Sequence, residues 1–161
     1  MMWVIEKYLK YLVLFALLWG TILGAVNFGC HKVHGRQMNP TYRDSDFLFV
    51  RRGPYDASEL ESGQVIVYDY QVPGINDTQF AGRVIGRPGD RIRMEQGKLF
   101  RNGAPVGEPY LADAQSGKDD LEEFTVPRDH LFILNDNRSA TPDSRSLGPL
   151  PQACVAGKVQ R

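Results

Sequence analysis

Side chains that could take part in chemistry are concentrated in three segments of this 161-residue chain. The first ends in a hydroxyl, the second combines arginine with aspartate, and the third mixes carboxamides, carboxylates and guanidinium groups. The segments run from Met38 to Thr41, from Arg83 to Asp90 and from Asn135 to Arg145. Because a hydroxyl becomes an effective nucleophile when a base removes its proton, acyl transfer is the reaction that such residue types could support.

No nucleophile and base stand at a spacing that predicts a catalytic pair. Thr41 carries a hydroxyl and His34 an imidazole, but nothing in their separation aligns one with the other. Three lysines could swing inward, namely Lys32, Lys98 and Lys118. We expect these bases to be solvated loop or interface residues and the Thr41 hydroxyl to bond local backbone.

The segment from Gly35 to Thr41 is predicted to be a rigid turn that leads from an N-terminal apolar run into a folded domain. The run from Tyr11 to Cys30 contains 20 residues without a charge, and a helix of that length spans about 30 Å, the thickness of a bilayer core. A cleaved signal peptide is the alternative, but no small-x-small cleavage site follows convincingly, and the residues before Cys30 fit a lipoprotein poorly. We therefore assign 1–30 to an uncleaved membrane anchor and 31–161 to the folded domain.

One face of the predicted anchor carries small residues at every fourth position, Ala16, Gly20 and Gly24. This spacing favours close packing against another membrane helix, which would make a membrane protein the partner. The alternative is that glycine and alanine are simply common in membrane helices. Basic residues lie on both sides of the apolar run, so the sequence alone does not decide its orientation.

Short β-like runs separated by turn residues follow His34, and they predict a mainly antiparallel β domain. We expect a two-residue hairpin turn at Asn102-Gly103 and a solvated loop over 112–123. The predicted strands cover 47–50, 64–68, 83–85, 91–95, 99–100, 124–126, 131–134 and 155–159.

Composition excludes some classes of function. The chain has 19 basic and 19 acidic residues; without Glu6, Lys7 and Lys10, which precede the apolar run, 17 basic and 18 acidic residues remain. The folded part is near neutral, so nucleic acid is not an expected partner. The two cysteines, Cys30 and Cys154, form neither a disulfide framework nor a zinc spacing. No cofactor or metal is expected.

The three segments, in this order and beside an apolar helix, closely resemble bacterial type I signal peptidases, the S26 serine peptidases. The resemblance covers roughly residues 1–160 and includes Asp46-Phe47-Leu48-Phe49-Val50, Asn102-Gly103 and Gly148-Pro149. It implies the signal-peptidase β fold, with packed sheets or a partly open barrel, at the bacterial plasma membrane. A single-pass helix would leave the β domain on the exported side.

In that family the first segment reads Ser-Met-x-Pro-Thr, and its serine is the nucleophile. A neutral lysine just before the Arg-Val segment is the base. Here the corresponding positions are Gln37 and Gly82. A carboxamide cannot form an acyl-enzyme and glycine cannot accept a proton, so the resemblance implies a member without the Ser/Lys dyad.

The remaining segment residues are expected to maintain the fold. The resemblance implies that Met38 and Pro40 shape a groove in which an extended signal peptide binds by strand addition. Asp143 and Arg145 are expected to form an ion pair. The other retained positions are Thr41, Arg83, Asp136, Asn137, Arg138 and Thr141, where Thr141 replaces a supporting serine. Departures from the family pattern occur at Gly35, Tyr42, Ser45 and Asn135.

Two functions therefore remain open. The first is a catalytically silent signal-peptidase homologue that acts as a structural or peptide-binding subunit of a membrane complex. The second is an active serine endopeptidase that cleaves signal peptides with a relocated nucleophile or base. A deliberately inactivated enzyme is a third alternative, but the scattered departures favour natural divergence.

Overall fold

The computed structural model describes residues 2–71, 79–111 and 119–160, with the side chains of 2–7 and 21–26 left out. Helices and strands follow one another along these ranges. They are α1 (Met2–Val26), β1 (Phe28–Lys32), β2 (Phe47–Arg52), β3 (Val65–Asp69), β4 (Gln79–Gly86), β5 (Arg91–Glu95), β6 (Lys98–Arg101), β7 (Ala104–Pro105), β8 (Leu121–Thr125), β9 (His130–Leu134), α2 (Ser144–Leu147), β10 (Leu150–Pro151) and β11 (Val155–Val159).

The strands form two antiparallel sheets. The larger has the order β1-β2-β11-β3-β4-β9-β10, and the smaller has the order β7-β6-β5-β8. In the larger sheet Val67 pairs with Ala81 and Gly82 with Ile66, while Arg83 pairs with Leu134 on β9. The predicted mainly antiparallel β domain is confirmed.

Alternation of apolar residues explains the outer strands. On β2, Leu48 and Val50 are buried between exposed neighbours, and on β5, Ile92 and Met94 are buried. A period of two places such residues on one face of a strand. Strand β4 differs because it is buried from its second residue to its last. It lies between β3 and β9 and is covered on both faces.

The predicted hairpin turn is present between β6 and β7. Asn102 and Gly103 have φ values of 54° and 81°, the left-handed conformations that a two-residue hairpin turn requires. The predicted loop over 112–123 is shorter than expected, because β8 begins at Leu121 and pairs with β5. Residues 112–118 lie outside the described residues.

The N-terminal region differs in detail from the prediction. Helix α1 ends at Val26, and the residues from Phe28 become β1, which pairs along its length with β2. The apolar run predicts a helix through Cys30, because phenylalanine, glycine and cysteine are uncharged and fit either element. Among the residues that the structure describes, no helix meets the length and hydropathy of a membrane span. The single-pass anchor is therefore not confirmed.

The larger sheet packs two apolar clusters against its faces, and both bear on the site. One contains Ile66, Tyr68, Val84 and Ile133. The other contains Val33, Met38, Leu48, Val50, Val65, Val67, Ala81 and Val159. Met38 is completely buried in the second cluster, so it fastens the loop between β1 and β2 to the sheet.

Candidate functional site

The loop between β1 and β2 is held in a fixed turn at its start. Gly35 has a φ of 80°, and its N–H donates to Asp44 Oδ1 over 2.7 Å. The Gln37 carboxamide folds back over this glycine, so a Cβ at position 35 would lie 2.6 Å from Gln37 Oε1. Position 35 therefore favours glycine for its backbone conformation, and a larger residue there would displace the Gln37 carboxamide.

The third segment holds the same loop from the opposite side. The Asn137 backbone N–H donates to the Gln37 carbonyl over 2.8 Å, and Asn137 Nδ2 donates to the Arg36 carbonyl over 3.1 Å. These bonds join residues about one hundred positions apart in the sequence. They keep the backbone at Gln37 in place whatever side chain it carries.

Gly82, on β4, has no room for a side chain. A Cβ there would lie 2.6 Å from Ile133 Cγ2 and 3.1 Å from Tyr68 Cε1. Carbon atoms pack best at about 3.5–4.0 Å, so both neighbours occupy space that a longer residue would need. Ile133 and Tyr68 are themselves buried in the apolar core. The interior beside Gly82 is thus filled with aliphatic and aromatic groups and holds no base.

Thr41 belongs to a buried ion-pair network. Arg83 donates from Nε to Asp136 Oδ1 over 2.7 Å and from Nη2 to Oδ2 over 2.5 Å. The Thr41 hydroxyl donates to the same Asp136 Oδ2 over 2.5 Å. Arg83 Nη2 also lies 3.4 Å from this hydroxyl oxygen. The hydroxyl is engaged by both charges and acts as a structural link between the loop, β4 and the third segment.

The network continues into the segment that follows β7 of the smaller sheet. The Arg83 guanidinium lies over the Tyr110 ring, 3.9 Å from its centroid. Tyr110 donates to Glu108 over 2.7 Å, and Glu108 pairs with the buried Arg138. Burial alone would lower the pKa of Arg83, but the hydrogen bonds and charge of Asp136 outweigh it and raise that pKa. Arg83 is a permanent structural cation.

The ion pair expected between Asp143 and Arg145 is present at 2.7 Å. Asp143 Oδ2 also accepts from the Asn135 N–H over 3.1 Å. The Asn135 carboxamide donates to the carbonyls of Ala140 and Pro142 over 3.2 and 3.1 Å. The buried Asn135 side chain therefore joins the start of the third segment to its residues 140–142. A glycine at this position could not make these bonds.

Tyr68 carries a buried hydroxyl for which the described residues offer no hydrogen-bond partner. Its ring packs on Phe80 with centroids 5.9 Å apart and is 1% exposed. Burial, assisted by the negative charge of Asp143, raises the pKa of Tyr68 well above its ordinary value. The phenol stays neutral and cannot serve as a base at physiological pH.

The space beside Gln37 is nearly closed. Its volume is about 10 Å³, barely enough for one water molecule. Met38 lines this space, whereas Pro40 and Thr141 are exposed elsewhere. The residues around it are His31, Val33, His34, Gln37, Met38, Gln79, Phe80 and Ala81.

The other candidate bases are dispersed. His34 is exposed at the edge of the space beside Gln37. Lys32 is exposed at the end of β1, and Lys98 lies on β6 in the smaller sheet. Lys118 lies outside the described residues. Within the described ranges, no three His, Cys, Asp or Glu side chains come together as a metal site.

Several residues that shape this region were missed from sequence. Ile133 and Tyr68 fill the space beside Gly82, and Glu108 and Tyr110 extend the Arg83 network. Their types are ordinary for strands and loops, and only their meeting across the sheet gives them a role. Arg83 and Asp136 are 53 positions apart. Their places in the second and third segments did not predict that they would form a pair.

Comparisons with known proteins give one consistent family. A model of the family "Signal peptidase, peptidase S26" matches residues 5–161. Signal peptidase I of Bacillus amyloliquefaciens is 34% identical over 139 residues, covering 81% of this chain and 72% of the relative. Signal peptidase IB of Staphylococcus aureus strain COL is 27% identical, covering 98% and 85%. A crystal structure of a signal peptidase I from Enterococcus faecalis V583 is similar with a TM-score of 0.51 and 29% identity, covering 63% of this chain and 97% of that one.

Proposed function

The chain belongs to the signal peptidase S26 family. We propose that it binds an extended signal-peptide-like segment and does not cleave it, because the chain lacks the Ser/Lys dyad. In this role it is a peptide-binding or structural subunit of a membrane complex. The proposal combines the peptide groove that the family resemblance implies with the two residues at the family's reactive positions.

The observation that carries the proposal is the packing at Gly82. The position has neither a base nor the space for one, since Ile133 Cγ2 lies 2.6 Å from where a Cβ would begin. Gln37 supplies a carboxamide at the other reactive position. Loss of one member of a nucleophile–base unit removes almost all of its catalysis, and losing the second adds little.

Peptide binding is supported by the edges of two strands. Strand β1 is the outer strand of the larger sheet, and β9 pairs with β4 only from Arg83 onwards. The first residues of β4 therefore present an edge towards the same space as β1, since His31 and Gln79 line it together. An extended segment placed there would add main-chain hydrogen bonds to either edge.

Active signal-peptide cleavage is the second candidate, and the names of the relatives favour it. Those relatives are signal peptidases I, so the chain's ancestry is that of a peptidase. Its nucleophile or base would then come from a position outside the family pattern. His34, exposed beside Gln37, is a candidate base that lines this space.

Attachment to the bacterial plasma membrane, with the β domain on the exported side, is part of the proposal. The described part of α1 supports it, because each large apolar residue between Tyr8 and Trp19 is more than half exposed. Ala16, Gly20 and Gly24 would contact a partner's membrane helix. Weaker co-purification of a partner from native membranes after Gly20→Leu, with no change after Leu17→Ile, would support this contact.

The test measures binding and cleavage in one sample. The full chain in detergent is mixed with a fluorescent preprotein segment, anisotropy reports binding, and gel analysis reports cleavage. We expect saturable binding and an uncut segment, in the wild type and in Thr41→Val and His34→Ala. Cleavage that survives Gln37→Ala but is lost in Thr41→Val or His34→Ala would refute the silent subunit and establish the second candidate.

A further inference from the structure

A second open groove, of about 320 Å³, lies beyond the last residue of β4. Three turns and one side chain form its walls. The turns precede the short 3-10 helix Ala57–Glu59, connect β4 to β5 and connect β8 to β9, and Gln152 completes the wall. The residues that line the space beside Gln37 take no part in it. This groove is therefore separate from the candidate site.

Arg87 brings a donor without an acceptor to this groove. Its N–H donates to Asp90 Oδ2 over 2.9 Å, and its carbonyl accepts from the Asp90 N–H over 2.9 Å. The turn that carries the side chain is therefore fixed. Arg87 Nε is buried, and the described part of the chain offers it no hydrogen-bond partner. Because a buried N–H without an acceptor is unfavourable, a ligand that supplies an acceptor to Arg87 would be favoured.

Arg128 and Gln152 add further donors. Arg87 and Arg128 both line the groove, and neither forms an ion pair with any described residue. Gln152 Oε1 accepts from the Ala57 N–H over 2.7 Å, and that N–H fixes which end of the carboxamide is the oxygen. The Gln152 NH₂ group therefore remains available as a donor. Two guanidinium groups and one amide NH₂ thus line the same groove.

Three carboxylates in the groove limit the charge of the ligand. Both oxygens of Asp90 accept hydrogen bonds, one from Arg87 N–H and one from Asn102 Nδ2 over 2.8 Å. Asp56 accepts a backbone N–H of its own turn over 2.8 Å, and Asp129 is exposed. Two cations beside three anions disfavour a doubly charged phosphate. A singly charged carboxylate matches the planar fork of a guanidinium.

We propose that this groove binds a carboxylate of a protein partner through Arg87 and Arg128. The carboxylate supplies the acceptor that Arg87 Nε lacks, and Asp129 offers an acceptor to a main-chain N–H beside it. The volume of about 320 Å³ lies within the range of about 300–1,000 Å³ that ligand pockets have, so the groove admits an amino-acid residue. An acidic side chain and a C-terminal carboxylate present the same chemistry. This site goes beyond the proposed function, since it uses neither Gln37 nor Gly82.

The test observes Arg87 directly through the NMR signal of its Nε–H. The full chain in detergent carries isotope-labelled arginine, and the loss of one signal in Arg87→Lys identifies it. Three peptides are titrated: acetyl-Gly-Glu-Gly-amide, acetyl-Gly-Gln-Gly-amide, and acetyl-Gly-Gln-Gly with a free carboxyl terminus. We expect a saturable downfield shift with a carboxylate peptide, at a dissociation constant of about 1 mM, and no shift with the glutamine amide. A response to the glutamate peptide assigns an acidic side chain, and a response to the free terminus assigns a C-terminal carboxylate.

Two variants test the second arginine. Arg128→Gln keeps the Arg87 signal and should weaken carboxylate binding at least about tenfold. Arg43→Gln is the matched control, because Arg43 is also exposed but lies in the loop between β1 and β2, and it should leave the affinity unchanged. Unchanged signals of the remaining arginines show that each variant is folded.

Four results would overturn the carboxylate site. The Arg87 signal could ignore both carboxylate peptides, respond equally to the glutamine amide, or respond more strongly to inorganic phosphate at the same ionic strength. Arg128→Gln could also leave the carboxylate affinity unchanged. Each of these results would leave the proposed function standing, since binding of the preprotein segment is measured separately.

Discussion

Replacing Gly82 by alanine tests the closed packing at the family's base position. The new methyl would begin 2.6 Å from Ile133 Cγ2 and 3.1 Å from Tyr68 Cε1. The closer contact is about 1 Å shorter than an ordinary carbon–carbon contact. Neither neighbour can move outward easily, since Ile133 and Tyr68 are each 1% exposed.

The expected cost follows from two opposing effects. Overpacking a well-filled core costs about 1–3 kcal/mol, and replacing glycine by alanine restores about 0.4–1 kcal/mol by restricting the unfolded chain. We expect a net loss of about 1–2 kcal/mol, or a Tm lower by about 2–8 °C for a chain of this size. Thermal and urea unfolding of the full chain measure both.

Gly107→Ala is the matched control. A Cβ at Gly107 meets nothing within 4 Å, so this variant should be neutral or slightly more stable. Ile133→Ala creates a void, and in that background Gly82→Ala should cost nothing because its methyl fills space. The packing argument would be refuted if Gly82→Ala and Gly107→Ala changed stability equally. It would also be refuted if Gly82→Ala cost the same free energy of unfolding in the wild type and in the Ile133→Ala variant.

Three further predictions concern stability. Tyr68→Phe removes a buried hydroxyl without a described partner and should stabilise the chain by up to about 1 kcal/mol. Because the raised pKa of Tyr68 keeps the phenol protonated in the folded state, wild-type stability should fall above about pH 10. Tyr68→Phe should lessen that fall in urea unfolding measured against pH. Asn135→Ala removes the donor to the Pro142 carbonyl and leaves the Ala140 carbonyl with Arg145 Nη2 alone, and it should cost about 1–3 kcal/mol by urea unfolding. Ser45→Gly relieves a φ of 71° and should raise stability by about 0.5–1 kcal/mol in the same assay; a decrease would contradict that strain.

The strands were predictable because local alternation determines them. Residues 91–95 and 155–159 form strands with the predicted bounds, and Asn102-Gly103 turns as its residue types require. The start of β1 was not predictable, since Phe28 and Cys30 are compatible with a continuing apolar helix. Their strand conformation comes from pairing with β2.

The candidate site was predictable in part. The family resemblance identified Gln37 and Gly82 as unusual occupants, but not the reason why Gly82 cannot simply be replaced. That reason depends on Ile133, about fifty positions away, and on Tyr68 from a neighbouring strand.

The packing around Gly82 also affects whether the Ser/Lys dyad can be restored by mutation. A lysine at position 82 must pass the two groups that already obstruct a methyl. Gln37→Ser with Gly82→Lys should therefore remain inactive, and shortening Ile133 in addition is the change that would make room for the amine.

Mass spectrometry of the bound peptide tests the central claim most directly. The full chain is incubated with a preprotein segment, the complex is recovered, and the mass of the bound peptide is measured over time. We predict an intact segment throughout, recovered in proportion to the protein. Accumulation of fragments ending at one defined bond, with turnover that scales with protein concentration, would contradict the account.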